Sequence, residues 1–212
     1  MPDTKTKGKM IIFTAPSGAG KTTLVRHLLA SYDFLDFSIS ATTRERRNHE
    51  VDGVDYHFLT KKEFQHRIEN GDFIEWEEVY EGQYYGTLKS EVDRIWAKDK
   101  SAVFDIDVKG ATSIKSIYKD QCLAVFVRPP SLETLIERLE NRKTESEASL
   151  KKRIERVKRE MTFENSFDVV LVNDLLEVAK KEAEYFTENF ILGRPYTDEE
   201  IEAFESFRNQ KR

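Results

Sequence analysis

Cysteine is almost missing from this chain. Cys122 is the only one in 212 residues, which excludes an internal disulfide framework and fits a reducing compartment. Histidine is nearly as scarce, and the four present (His27, His49, His57 and His66) show no metal-ligand spacing with that cysteine. No run approaches the roughly 20 apolar residues that span a bilayer. The opening Met1–Lys9 is polar and leads straight into an apolar segment, so a signal peptide is not expected. A basic excess is lacking too: Lys and Arg number 34 against 39 Asp and Glu, a net charge of −5. That balance argues against general nucleic-acid binding but leaves room for a local basic pocket around a small anion. Neither an internal repeat nor a low-complexity tract is visible. What the chain does have is 39% hydrophobic and 34% charged residues, enough for a real core under a heavily charged surface. The expectation is a soluble, cytoplasmic globular domain.

Short apolar runs alternate with helical periodicity. Met10–Phe13 reads as a buried strand that enters a turn at Pro16 and Gly18. From Lys21 to Ser31, the apolar Leu24, Val25, Leu28 and Leu29 share one helical face. Phe37, Ile39 and Ala41 alternate with Ser38 and Ser40 and read as one strand, with Asp55–Leu59 as another. Thr60 and Glu63 form a capping box for a helix carrying Phe64 and Ile68, stopped at Asn70-Gly71. Phe73–Glu77 and Val79–Gly86 read as strands with a turn near Glu81-Gly82. Further on come strands at Ala102–Phe104, Cys122–Val127 and Val169–Val172, separated by helices around Ile95, Ile114, Leu135, Val157 and Val178–Phe190. In the tail, Thr197 and Glu200 form a second capping box ahead of a stripe of Ile201, Phe204 and Phe207 expected to pack on the body. Apolar strands alternating with helices predict a parallel sheet covered on both faces, while the consecutive strands between about 40 and 86 predict an inserted subdomain.

Ala15, Pro16, Ser17, Gly18, Ala19, Gly20, Lys21 and Thr22 match the phosphate-loop pattern, except that Ala15 replaces its first glycine. The bare motif is weak, and its context supplies the specificity. Between an apolar strand and an amphipathic helix, the glycines let successive backbone N–H groups converge on a phosphate. The helix N-terminus adds about half a positive charge and Lys21 a full one. Thr22 would place its hydroxyl on Mg²⁺. The competing reading, a glycine-rich connection with an exposed lysine, is the weaker one in that setting. A GTP-binding switch would also need an Asn-Lys-x-Asp motif; Asn173-Asp174 follows a strand, but without the lysine.

Beyond the loop, Ser40-Ala-Thr-Thr-Arg44, Arg47, Asp55-Tyr56, Phe73-Ile-Glu-Trp76, Tyr84-Tyr-Gly-Thr87 and Asp105-Ile-Asp107 occur in order. With the loop they closely resemble the guanylate kinase family, from about Met10 to Ile191. The resemblance implies an α/β fold: a P-loop kinase core with a parallel five-stranded sheet flanked by helices, an inserted mixed α/β nucleotide-monophosphate-binding subdomain and a helical lid. Core segments would cover about 8–37, 98–137 and 160–192, the insertion about 38–97, the lid about 138–159 and a helical tail 193–212. It further implies Mg²⁺-dependent transfer from ATP to GMP, with dGMP also accepted, by a monomer or weak homo-oligomer.

A nucleoside monophosphate carries nearly two negative charges. Arg44 and Arg47, three apart, can fork onto those oxygens, with phenols from Tyr56 and Tyr85 donating beside them. From residue types alone, an exposed basic loop explains the arginines equally well; the resemblance selects the clamp. Guanine offers N1–H and N2–H₂ as adjacent donors and O6 as an acceptor. By resemblance Glu75 and Asp107 read the donors, while Ser40 and Thr87 are the site's hydroxyls. Taken alone, Glu75 between Ile74 and Trp76 reads better as the solvent side of a strand. Asp105 and Asp107 share one strand face at the end of a buried strand, where nucleotide-binding sheets place ligands, and Asp105 resembles a carboxylate near Mg²⁺. A turn-proximal acidic pair is the alternative.

By resemblance, Lys21 is joined in catalysis by Asp105 and by three lid arginines, Arg138, Arg142 and Arg153. Thr23, Asn173 and the loop itself would contact ATP, and Thr22 with Asp105 would serve the metal. Residue patterns alone favour a solvated face for most of the charged helix Lys151–Glu160, including Arg156 and Arg159. Two rivals remain at this stage. A sister kinase for another monophosphate differs in its acceptor, and a catalytically dead, protein-binding module would have a degraded loop, whereas Gly20-Lys21-Thr22 is intact.

Overall fold

The computed structural model describes residues 8–140 and 147–211, with side chains for 8–137 and 152–208. Along the chain, strand β1 (Met10–Thr14) is buried at every position and leads through the glycine-rich loop into α1 (Lys21–Ser31). After β2 (Leu35–Phe37), two short strands follow, β3 (Ala41–Thr42) and β4 (His57–Phe58). Helix α2 (Lys61–Glu69) starts at a complete capping box: Glu63 donates its backbone N–H to the Thr60 hydroxyl, and the Glu63 carboxylate accepts from the Thr60 backbone. The hairpin β5 (Phe73–Tyr80) and β6 (Gln83–Leu88) runs into α3 (Lys89–Trp96). Then come β7 (Ser101–Ile106), α4 (Val108–Tyr118), β8 (Cys122–Arg128), α5 (Leu132–Glu140), α6 (Glu147–Met161), β9 (Val169–Val172), α7 (Leu176–Leu192) and α8 (Asp198–Lys211).

Two sheets result. The larger is five-stranded in the order β2-β7-β1-β8-β9, all parallel, with Phe13 beside Asp105 and Val125. Because successive strand residues face opposite ways, Ile11, Phe13, Val103 and Val125 pack toward α1 and α7. Met10, Ile12, Ala102 and Phe104 pack toward α3 and α4. Burial on both faces is why these strands read as continuous apolar runs. The smaller sheet has the order β4-β3-β6-β5 and is mixed, since β3 runs parallel to β4 but antiparallel to β6. Phe64 from α2 stacks on Phe73 beneath it, with ring centres 4.4 Å apart.

The expected single strand Phe37–Ala41 is two strands in two sheets. Phe37 pairs with Val103 in the large sheet, while Ala41 pairs with His57 and Gly86 in the small one. Alternation of apolar and polar residues continues through Ser38–Ser40 and carries no mark of the change of partner. Likewise, Asp55–Leu59 narrows to His57–Phe58, because the Asp55 carboxylate accepts the Val51 N–H at 2.7 Å and turns the preceding segment back on itself. In β5 the register slips between Glu78 and Tyr80, a bulge at Val79. The tail stripe packs only in part. Phe204 meets Tyr185 at 5.7 Å between ring centres, but Phe207 is exposed and Arg208 is buried in its place.

The strand order reverses at β1, which opens a crevice at the carboxyl ends of β1, β7, β8 and β9. The glycine-rich loop, Asp105, Asp107 and Asn173 all converge on that edge.

Candidate active site

Along one wall of the crevice lies the loop. Gly18 and Gly20 take φ of 95° and 94°, a left-handed conformation that bends the backbone around an open centre. A Cβ at Gly20 would also lie 2.2 Å from the Asn173 amide nitrogen. That amide is buried and donates to the Ala19 carbonyl at 2.7 Å, so Asn173 props the loop from below. Lys21 donates to the Ile106 carbonyl at 2.8 Å and pairs with Asp105 at 2.7 Å. The Thr22 hydroxyl donates to the other Asp105 oxygen at 2.5 Å. Pro16, Ser17, Thr22 and Thr23 line the same cavity, and Ala15, standing where a glycine is usual, tucks into the core.

From α6, Arg153 donates to the Ser17 hydroxyl at 2.7 Å, which brings that helix onto the loop. Arg138 sits on α5, but its side chain, like the whole of Arg142, lies outside the described residues. Arg156 departs from the solvated-face expectation. It reaches Asp107 at 3.2 Å, Glu160 at 2.6 Å and the Val79 carbonyl at 3.4 Å, and its guanidinium lies over the Tyr80 ring at 5.5 Å. Burial opposes its charge, yet Glu160 and Asp107 hold its pKa above the ordinary arginine value. Helical spacing pairs Arg156 with Glu160 correctly; nothing in the sequence indicates that β5 and Asp107 approach the same face.

The opposite wall is acidic. Asp107 caps α4, accepting the Gly110 N–H at 2.8 Å with one oxygen and Arg156 with the other. Glu75 points inward, and its neighbour Trp76 takes the exposed side. Burial pushes the Glu75 carboxyl up to about 7, although the Thr87 hydroxyl donates to it at 2.7 Å and favours the charged form. A Cβ on Gly110 would come within 2.9 Å of the Glu75 carboxylate, so glycine there admits the approach. Glu77 joins this group, paired with Lys109. Burial holds its carboxyl above the ordinary value, while Lys109 works the other way.

Between the walls stand the basic and phenolic groups. Arg44 is gripped in a fork by Glu50, at 2.8 and 3.0 Å, and its Nε donates to the Tyr85 hydroxyl at 3.2 Å. That phenol, having accepted from Arg44, keeps its own proton to donate. Glu50 also accepts the Arg47 backbone N–H at 2.8 Å. The Arg44 hydrogen bonds hold its carboxyl near 2, despite burial. Arg44 further lies over the Tyr56 ring at 5.3 Å, and burial pushes the Tyr56 hydroxyl up to about 12. Arg47, by contrast, leaves its side chain 66% exposed at the mouth. Glu50, Glu77 and Arg156 were not among the residues singled out by sequence. Their partners are 6, 32 and 49 residues away, and no short motif records such pairings.

Lys21, Tyr56, Asp105, Asp107 and Arg156 line both the loop cavity and the acidic cavity. One chamber therefore joins the glycine-rich loop to the inward-facing carboxylates. Such a fold and site define a P-loop kinase acting on a nucleoside monophosphate. Residues 7–189 match the family profile described as "Guanylate kinase". A guanylate kinase of Salinibacter ruber is 51% identical over 183 residues, 86% of this chain and 94% of the relative. The Chlorobium chlorochromatii guanylate kinase is 46% identical over 184 residues, 87% of this chain and 96% of the relative. The crystal structure of guanylate kinase from Anaplasma phagocytophilum superposes with a TM-score of 0.68 at 25% identity, covering 91% of this chain and 89% of that one. The chain belongs to the guanylate kinase family, phosphotransferases that convert GMP to GDP at the expense of ATP.

Proposed function

We propose that the two walls divide the work of that transfer: the loop side takes ATP, and the acidic side with Arg44, Arg47 and the two tyrosines takes GMP. The observation that carries this reading is the sharing of one chamber by the loop and the buried carboxylates, with Lys21 and Asp105 between them. Loop N–H groups, Lys21 and Ser17 hold the donor phosphates. Thr23 and Asn173 border the loop, the latter through its support of Ala19. Arg44 and Arg47 receive the GMP phosphate, with Tyr56 and Tyr85 donating beside them. Glu75 and Asp107 accept from guanine N1–H and N2–H₂, and Ser40, which lines the same cavity, donates to O6. Thr87 acts on guanine through Glu75, since its hydroxyl is given to that carboxylate. Adenine lacks both donors, so AMP would leave Glu75 buried with the Thr87 hydroxyl but without the two base donors, the kind of mismatch that discriminates strongly. Membership of the family is the reason to expect dGMP as a second acceptor.

An oxygen of the GMP phosphate attacks the ATP γ-phosphorus, and the bond from that phosphorus to the β,γ-bridging oxygen breaks, leaving GDP and ADP. The attacking oxygen is already anionic, so no general base is needed. Catalysis is then positioning and charge neutralisation. Arg153, with Arg138 and Arg142, brings positive charge over the transferring group as α5 and α6 close and shut out water. The oxygens of Thr22 and Asp105, 2.5 Å apart at the loop, suit Mg²⁺, which keeps few protein ligands and takes the rest from phosphates and water. Bound there, it would neutralise donor-phosphate charge.

An ADP-release assay with GMP, dGMP, AMP, dTMP and CMP as acceptors tests the reading. GMP should give the highest kcat/KM and dGMP a measurable one, with AMP lower by about 10⁴-fold. Comparable rates with AMP would remove the guanine assignment.

A further inference from the structure

The chain crosses between the large-sheet core and the small-sheet subdomain at two places, and the Glu91 side chain stands at both. The first crossing is Ser38–Ser40, since Phe37 still pairs in the large sheet and Ala41 already pairs in the small one. Three consecutive residues there have three different partners. The Ser38 N–H goes to the Val103 carbonyl of β7 at 2.9 Å, the Ile39 N–H goes to the Glu91 carboxylate at 3.1 Å, and the Ser40 carbonyl accepts the His57 N–H at 2.9 Å. The second crossing is the step from β6 into α3, whose first turn carries Glu91. Val92 and Ile95 of the same helix pack into the core with Ala102 and Phe104.

Glu91 is buried, at 8% side-chain exposure. One of its oxygens accepts from Ile39; the other meets the His57 ring at 3.2 Å, and His57 belongs to β4 of the small sheet. On the core side Arg94, one turn along α3, donates to Glu91 at 2.9 Å, to the Phe37 carbonyl at 2.8 Å and to Asp36 at 3.0 Å. Burial opposes the charge of Glu91, yet Arg94, the Ile39 N–H and the His57 ring hold its carboxyl below the ordinary value. Ile39 and His57 are the chain neighbours of Ser40 and Tyr56, which line the acidic cavity. Without the Glu91 carboxylate, Arg94 keeps Asp36 and the Phe37 carbonyl, so no cation is stranded. The segments that lose their tie to α3 are Ile39-Ser40 and Tyr56-His57, and the bond between Ser40 and His57 makes them shift together.

We propose that Glu91 is a positioning residue for the acceptor site, tying Ser40 and Tyr56 to the core helix α3 through Ile39 and His57. This rests on Ser40 and Tyr56 serving GMP. Among the described residues, the glycine-rich loop takes no part in these contacts.

The test measures KM for GMP and for ATP separately, with melting temperature, for wild type, Glu91→Leu, Glu91→Gln, Asp36→Asn, Ser40→Ala and Tyr56→Phe. Glu91→Leu should raise KM for GMP roughly five- to thirtyfold while KM for ATP stays within about twofold. Glu91→Gln should give a smaller rise, about three- to tenfold, because its amide sets a donor against Arg94 but can still accept from Ile39. Asp36→Asn loosens Arg94 on the core side without touching the Ile39 or His57 bonds. It should lower the melting temperature and leave both KM values within about twofold. A GMP KM within about twofold of wild type in Glu91→Leu, equal rises for the two substrates, or a rise in Asp36→Asn as large as in Glu91→Leu overturns the proposal. If Glu91→Leu does not fold, Glu91→Gln is judged by the same limits. Should Ser40→Ala and Tyr56→Phe both leave KM for GMP unchanged, the reading of the acceptor site fails, and the proposal falls with it.

Discussion

Thr87 and Glu75 face each other across the β5–β6 ladder, and the Thr87 hydroxyl donates to the Glu75 carboxylate at 2.7 Å. Thr87 is fully buried, so the pair turns a strand glutamate into the floor of a pocket. An exposed strand carboxylate would titrate near its ordinary value, whereas burial lifts this one to about 7.

On the proposed assignment of Glu75 to the guanine base, acceptor binding is coupled to pH. Its folded pKa is raised, so the folded protein binds a proton that the unfolded chain releases above about 4.5. Its effect on the stability of the ligand-free protein therefore becomes unfavourable as pH rises from about 4.5 through 7. Guanine needs the ionised form, so KM for GMP should fall between pH 6 and 8. Glu75→Gln should raise KM for GMP about 10- to 100-fold, weaken the rejection of AMP and abolish that pH slope. A slope that persists in Glu75→Gln would assign it to another group.

Glu50 holds Arg44 in place, and its folded pKa is depressed to about 2 by the Arg44 hydrogen bonds. The sign is opposite to that of Glu75: the stabilisation is present above about pH 4.5 and is lost as pH falls toward 2. Glu50→Gln should cost about 2 kcal/mol and lower the melting temperature by roughly 4–8 °C at neutral pH. The deficit relative to wild type should shrink below pH 4. A constant deficit from pH 7 to 3 would deny the ion pair its role.

Lys21 lines both cavities of the chamber, 2.7 Å from Asp105. Lys21→Ala should lower kcat by about a hundredfold or more while the dissociation constant for GMP, measured by calorimetry, changes little. Equal loss of both would mean that donor and acceptor sites are not separable.

Arg156 ties α6 to the acidic wall through Asp107 and Tyr80, whereas Arg159 on the same helix is exposed. Arg156→Gln should raise KM for GMP about 5- to 50-fold, and Arg159→Gln should leave it within about twofold. Indistinguishable behaviour of the two variants would return Arg156 to the solvated face.

The regular elements were readable because each is locally encoded. The span of α1, the capping box at Thr60 and the apolar strands β1, β7, β8 and β9 follow from periodicity, turn residues and burial on both sheet faces. The change of sheet between Phe37 and Ala41 was not, since an alternating pattern is the same whichever strand pairs with it. The loop, Arg44, Glu75 and Asp107 lie in compact motifs, and the family resemblance pointed to them; Glu75 taken alone read as solvent-facing. Glu50, Arg156 and Arg208 have the same composition as any solvated charge, and only their buried partners distinguish them.

By itself, the order of residues determined the alternating strand–helix core and the phosphate-loop pattern, and its ordered motifs carried the resemblance to the family. These are properties of short segments, set by backbone preference and by which groups can hydrogen-bond to what. Tertiary structure alone decided which face Glu75 takes, which arginines leave the solvent and where the C-terminal helix is anchored. Those outcomes depend on desolvation and on charge partners brought together from distant parts of the chain, and a charge reveals its cost or its use only once the surrounding water has been replaced by protein.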